Sequence, residues 1–171
     1  ARSTATVFGF EEAFAYSPSP KKSSTFCKKM SEELGYPHYA CATAEDAVRA
    51  ADVVFTQTPG GEWVLEEEWL RPHALIVCSG SDQPTKNEIP PDVLKKAKVV
   101  TDITAQCARV GEVRSAVAAG VMTVDDVHAE LGQIVSGQVK GRKGKELIVC
   151  DLTGTGAQDA AIGSYVMDVL D

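Results

Sequence analysis

The sequence predicts an α/β fold, a doubly wound and mostly parallel sheet that lacks its first strand. Two observations carry this reading. Short apolar runs alternate with helix-like stretches along most of the chain, the pattern of a parallel sheet with helices on both faces. Residues 2–9 read as the tail of a helix, with no glycine-rich turn and no strand ahead of it. In sheets of this kind that turn belongs to the first βα unit, and the first strand lies at the centre of the order 3-2-1-4-5-6.

Glu12-Ala13-Phe14-Ala15-Tyr16 is an apolar run of strand length, followed by a Ser/Pro turn and a basic helical stretch over 20–34. Residues 39–42 read as the next strand and 44–50 as the next helix. Strands over 52–56 and 75–79 each run into a loop. A strand over 99–101 leads into a helical stretch, and the last strand, 147–151, precedes a helix reaching residue 170. The chain thus divides into a partial Rossmann-type domain over 1–151 and a C-terminal helix over 152–171. A sheet without its central strand leaves unpaired backbone groups on both neighbours, each costing roughly 1–3 kcal/mol if buried, against a total stability of about 5–15 kcal/mol. Residues 1–171 are therefore expected not to fold alone, a preceding segment or a partner chain supplying the strand. Any targeting signal would lie in that preceding segment and is not readable.

Among 171 residues, 44% are hydrophobic and 24% charged, the balance of one soluble globular piece. A formal charge of −7 argues against a nucleic-acid partner, and the lysine clusters at 21–22, 28–29 and 140–145 read as solvated faces. Five cysteines, an odd number with no CxxC pair, fit buried thiols in a reducing, cytoplasmic setting better than disulfides or zinc. No apolar stretch approaches the ~20 residues of a membrane span. His128 reads as lying on a helix surface and His38 and His73 as flanking turns, none with a metal-ligand companion at i+4. Trp63 and Trp69, near Leu65 and Leu70, read as packing for a short helix under the sheet.

Three loops fall just after predicted strands, where open parallel sheets bind ligands. In Thr56-Gln57-Thr58-Pro59-Gly60-Gly61, hydroxyls and free amides face a nucleotide, or the segment is a plain Pro-Gly turn. The second, Gly80-Ser81-Asp82-Gln83-Pro84-Thr85-Lys86-Asn87-Glu88, packs two carboxylates and a lysine into seven residues. A carboxylate in such a crevice is suited to proton shuttling in carbon–nitrogen chemistry if its pKa is tuned toward neutral. Local spacing favours an Asx-type turn ahead of Pro84, with Glu88 merely preceding a helix. The third, Thr153-Gly154-Thr155-Gly156-Ala157-Gln158-Asp159, is not a GxGxxG fingerprint, because Asp159 takes the third glycine's place and only one helix follows. It offers free N–H groups to a ligand, or is a tight turn capped by Thr153 or Thr155.

Several ordered motifs over about 150 residues resemble the ornithine cyclodeaminase and mu-crystallin family. Ala51-Asp52-Val53-Val54-Phe55-Thr56-Gln57-Thr58-Pro59 resembles its "ADxVxTxTP", and Trp69-Leu70-Arg71-Pro72-His73-Ala74 its "EWLKPGA". Residues 80–88 resemble "GADxPGKxE", the most specific match. Glu130-Leu131-Gly132 with Ser136-Gly137 and Gly141-Arg142 resembles "ELGEVLAGxxxGR", and residues 151–159 resemble "DSTGxxxQD". In that family a glycine-rich turn ends in Gln-Ala-Arg, whose last two residues Ala1-Arg2 resembles.

The resemblance implies an NAD(P)-dependent enzyme acting on the Cα–N bond of a small amino or imino acid: a cyclodeaminase, an amino-acid dehydrogenase or an imine reductase. Hydride passes between nicotinamide and the imine carbon, and the protein supplies orientation and proton traffic. By position Asp82 becomes the carboxylate that assists at the substrate nitrogen, reversing the local preference for a turn, while Lys86 orders its loop. The cofactor set is then Arg2, Ser17, Lys21, Thr56, Thr58, Pro59, Gly80, Ser81, Lys86, Thr153 and Gly154, with no metal. Thr85 replaces a family glycine and stiffens the loop. Ser17-Pro18, with Lys21 and Lys22 beyond, stands where NAD enzymes hold an acidic residue, which modestly favours NADP(H) over NAD(H); otherwise Ser17 and Pro18 only form a turn. The family's substrate-carboxylate ligands and its dimer interface lie in an N-terminal domain toward which residues 152–171 would lead. This stretch alone is thus expected to be inactive, and the parent a homodimer without nucleic-acid or membrane partners. The alternative is a non-catalytic NADPH or small-ligand binder of the mu-crystallin type.

Overall fold

The computed structural model describes residues 1–170, in two compact units: residues 1–52 with 68–71, and residues 53–67 with the chain from Pro72 onward. In the first unit, α1 (Arg2–Ala5) ends in a turn at Thr6. The expected helical tail to residue 9 therefore stops early. Thr6 and Val7 are β-branched and Gly9 is a poor helix former, and Val7 and Phe8 are exposed.

β1 (Ala13–Ala15) pairs in parallel with β2 (His38–Ala40). Between them runs α2 (Pro20–Leu34), with Pro20 in its first turn and Gly35 ending it at φ 77°, where a Cβ would be strained. Ser23, Cys27 and Met30 form its buried stripe at helical spacing. α3 (Ala44–Ala50) starts at Thr43, whose hydroxyl accepts the Asp46 amide at 3.0 Å.

The second unit holds a fully parallel five-stranded sheet. Its strands are β3 (Val53–Thr56), β4 (Leu75–Cys78), β5 (Lys98–Thr101), β6 (Ala129–Glu130) and β7 (Ile148–Asp151), in the order β3-β4-β7-β5-β6. The last strand in the chain therefore lies centrally, whereas the generic order places it at the edge. Ile148 and Val149 are both buried, as a strand with neighbours on each side requires. Among the described residues β1 pairs only with β2 and β3 only with β4, so each retains one edge without a strand partner. Val54, Ile76, Val149 and Val99 line one closed face, while on the other Phe55 remains half exposed.

Four helices join or flank these strands: α4 (Pro91–Lys96), α5 (Thr104–Val110), α6 (Glu112–Ala118) and α7 (Leu131–Val135). The chain ends in α8 (Gly156–Leu170), every described residue of which is exposed. A 3-10 turn, Glu67–Trp69, stands where a short helix was expected. Leu65 beside it is buried, but Trp63 is exposed, its indole N–H donating to Asn87 Oδ1 at 2.8 Å. His128 lies off any helix, its Nε2 2.8 Å from the Lys140 carbonyl. All five cysteines are free, with Cys27, Cys78 and Cys107 buried. Among the described residues no helix is long and apolar enough to cross a membrane.

Candidate functional site

The five parallel strands end in register. Thr56 pairs with Cys78, Cys78 with Asp151, Asp151 with Thr101 and Thr101 with Glu130. Partners in register share a face of the sheet, so a row of polar or sulfur-bearing side chains stands above the apolar layer at the carboxyl edge. All three loops singled out by sequence leave from this edge.

Three fully buried carboxylates, Glu88, Glu112 and Asp151, fasten this edge in a chain of hydrogen bonds from side chain to backbone. Asp151 Oδ2 accepts the Val113 amide at 2.9 Å in the first turn of α6. One residue earlier in that turn, Glu112 accepts the Glu88 amide at 2.8 Å and the Asn87 side-chain amide, with the Ile89 amide at 3.4 Å. Glu88 in turn accepts the amides of Thr58 and Gly80, the latter at 3.2 Å. The loops after β3 and β4 are therefore tied by one carboxylate, whose own backbone hangs from a second. Glycines make room for this. A Cβ on Gly80 would collide with the Glu88 carboxyl, one on Gly111 with the Asp151 carboxyl, and one on Gly61 with the Thr85 carbonyl.

Burial without a cation favours the protonated acid. Glu112 is pushed up to about 7, chiefly by burial, against the pull of the Glu88 and Ile89 amides and with the charges of Asp151 and Glu88 adding to the rise. Asp151 is pushed up to about 6, again mainly by burial, and its Oδ1 has no hydrogen-bond partner among the described residues. Burial raises the Cys78 thiol well above its ordinary value, and the neighbouring carboxylates add to the effect.

Asp82 has the opposite environment. It is about half exposed and pairs with Lys86 Nζ at 2.8 Å. The Lys86 hydrogen bond holds its pKa below the usual carboxylate value, so the expected tuning toward neutral occurs at Glu112 and Asp151 and not at Asp82. The loop around it is firmly held. Ser81, fully buried, donates its hydroxyl to the Lys86 carbonyl at 2.9 Å, and Arg114 Nη2 donates to the same oxygen at 2.9 Å. Thr56 is buried, its hydroxyl against the Cys78 thiol, and the buried hydroxyl of Thr58 has no hydrogen-bond partner among the described residues; buried hydroxyls are seldom left so. Pro59 is exposed beside them.

The third loop differs from its expectation of free amides. Asp102, directly after β5, accepts the Thr153 amide at 2.8 Å and the Gly154 amide at 2.7 Å. Gln106 donates to Thr153 Oγ1 and to the Gly154 carbonyl, each at 2.8 Å. With both amides engaged, this loop offers a shape set by Asp102, Gly154 taking φ 88°. The remaining expected residues belong to the first unit. The Arg2 guanidinium is taken up by Glu33, Ser17 Oγ accepts the Ser19 amide at 3.3 Å, and Lys21 is exposed at the start of α2.

Sequence reasoning did not single out Glu112, Asp102 or the Asp151 carboxylate, and it assigned Glu88 only to a helix entry. The available signal was an acid set in apolar surroundings: Glu88 before Ile89-Pro90, Glu112 before Val113, and Asp151 closing Ile148-Val149-Cys150.

Comparison with known proteins gives a consistent picture. The model of the ornithine cyclodeaminase/mu-crystallin family matches residues 2–171. The chain is 36% identical over 163 residues to alanine dehydrogenase of Archaeoglobus fulgidus, covering 95% of this chain and 50% of that protein. It superposes on the iminosuccinate reductase of Paracoccus denitrificans in complex with NAD+ with a TM-score of 0.91 and 32% identity, covering 98% of this chain and 51% of that one. An archaeal alanine dehydrogenase dimer with bound NAD gives 0.92 and 34%, covering 98% and 52%. The chain spans about half the length of the relatives it matches.

The raised acids set a pH dependence of stability. Glu112 and Asp151 ionise at about 7 and 6 in the fold against ordinary values of 4.5 and 3.8. The folded state holds more protons in that interval, so their contribution is fully present below about pH 4 and is lost as pH rises through about 7. Thermal melts should show stability falling from about pH 5 to pH 8 by on the order of a few kcal/mol, with a smaller fall in Glu112→Gln. An equal fall in that variant would contradict the assignment.

Proposed function

The chain belongs to the ornithine cyclodeaminase/mu-crystallin family, and from that membership we propose that it is the NAD(P)-binding portion of an enzyme that moves a hydride at the Cα–N bond of an amino or imino acid. The observation that carries the proposal is the carboxyl edge of the five-stranded sheet. There Thr58, whose buried hydroxyl has no hydrogen-bond partner among the described residues, stands in a loop that Glu88 ties to the loop bearing Asp82.

The dinucleotide lies along this edge, where the exposed Pro59 gives it an apolar surface. When bound, the nicotinamide supplies the hydride donor or acceptor. Gly80 and Ser81 shape the adjoining wall, and Thr153 and Gly154, held by Asp102, form another. Asp82, kept ionised by Lys86, accepts an N–H of the substrate nitrogen, orienting it and stabilising the positive charge that develops there as the Cα–N bond gains imine character. Substrate-carboxylate contacts come from the part of the protein outside this chain. So does the strand that pairs with the open edge of β3, and α8, apolar and exposed, leads to that part. The relatives' dimer supports a homodimer for the whole protein, and the free cysteines support a cytoplasmic location.

Cofactor choice rests on α2, whose first turn holds no acid while Lys21 and Lys22 are exposed. NADP(H) is the proposed preference, since no carboxylate stands there to repel a 2′-phosphate.

Two outcomes test this. Asp82→Asn should lower turnover of amino or imino acids by roughly 10²–10⁴-fold while leaving dinucleotide affinity within about three-fold; equal turnover would remove Asp82 from the reaction. Binding of NADPH with no turnover on any such substrate would favour the non-catalytic mu-crystallin type. Separately, Lys21→Glu with Lys22→Glu should weaken NADPH by about ten-fold and NADH much less. Equal weakening of the two would contradict the preference.

A further inference from the structure

We infer that Glu112 is a positioning residue for the dinucleotide site: it touches no ligand itself and acts through Glu88 to hold the loops at 56–59 and 80–88 in one arrangement. The inference rests on the proposed dinucleotide reading, and its geometry is specific. Glu112 accepts hydrogen bonds from three consecutive residues, Asn87, Glu88 and Ile89. Glu88 then uses its own carboxylate on Thr58 and Gly80, one amide in each loop. A displacement at Glu112 therefore reaches both loops through a single rigid residue, buried and flanked by the prolines and helix that follow it. The buried Thr58 hydroxyl, without a hydrogen-bond partner among the described residues, stands in one of the loops so held.

The groups facing Glu112 make its arrangement sensitive to protons. Asp151 of β7, Glu88 of the loop and Cys78 of β4 surround it with acidic groups. Asp92, Lys95 and Lys96 of α4 and Arg109 of α5 are exposed. Arg114, on α6 itself, donates to the Lys86 carbonyl. With its proton, Glu112 presents a neutral acid that keeps an acceptor oxygen for the Glu88 amide. Without it, Glu112 carries a buried charge, whose desolvation and repulsion by the neighbouring acidic groups outweigh the pull of the Glu88 and Ile89 amides, and the segment 87–89 shifts.

The chain contains its own reporter. The Trp63 indole donates to Asn87 Oδ1 at 2.8 Å, and the Asn87 side-chain amide donates to Glu112. Trp63 fluorescence is read as the difference between the Trp69→Phe protein and the Trp63→Phe/Trp69→Phe protein, titrated without ligand from about pH 5 to pH 9. The expected result is a transition near pH 7 that Glu112→Gln abolishes and Asp151→Asn shifts to lower pH. A flat titration, or an unchanged transition in both variants, would overturn the inference.

NADH and NADPH titrations over the same range complete the test. Affinity should fall by up to about ten-fold per pH unit above the transition, and the fall should vanish in Glu112→Gln. Binding whose pH dependence survives in that variant overturns the positioning role. Absence of binding at every pH sinks the dinucleotide reading instead, while the fluorescence arm still decides whether Glu112 controls the loop.

Discussion

The structure of the second unit depends on one repeated interaction, a buried carboxylate accepting backbone amides from a neighbouring segment. Asp151 holds the first turn of α6, Glu112 on that turn holds residues 87–89, and Glu88 holds Thr58 and Gly80. A parallel sheet leaves the loops at its carboxyl edge without hydrogen-bond partners of their own. Turns that satisfy themselves locally would leave those loops independent of one another. Carboxylates that reach between segments satisfy the same amides and couple the loops as well. Buried acids carry a desolvation penalty, and here it is met by amide donors and by proton uptake, with the Asp151 carboxyl at the amino end of α6 gaining from the helix dipole.

Close approach is the second constraint, and it explains which glycines matter. At Gly80 and Gly111 the neighbouring carboxyl occupies the space of a Cβ, and at Gly61 the Thr85 carbonyl does. These three need no unusual backbone angles; they need the absence of a side chain. Gly154 differs, since its φ of 88° is what turns the chain from β7 toward α8. Asp102 then fixes that turn from the adjacent strand end, its own amide donating to the Asp151 carbonyl at 3.1 Å. The carboxylate chain and the 153–154 loop therefore share one strand end.

Much of the fold was legible because alternation of apolar runs and helices is a strong signal. The helices over Pro20–Leu34 and Ala44–Ala50 match their expected bounds, and each predicted strand lies within a residue or two of the observed one. The central place of β7 was not legible, because strand order depends on which edges a strand can bury and not on its own sequence. β6, two residues long, carries no periodicity to read. At the site, the resemblance placed Asp82 and Lys86 in one loop, and the structure joins them in an ion pair. Glu112 and Asp102 were missed for a physical reason. An acid that binds amides from segments 24 or 51 residues away leaves no trace in local spacing. Its only mark is the apolar company it keeps.

The coupling of the loops through Glu112 is tested most directly by amide hydrogen exchange at Thr58 and Gly80 in the Glu112→Ala protein, since neither amide touches residue 112. Both should exchange at least about ten-fold faster than in the wild type, together with Glu88 and Ile89, while Val149 in β7 stays protected. Acceleration confined to Glu88 and Ile89 would show that the carboxylates act one at a time, and it would contradict the account.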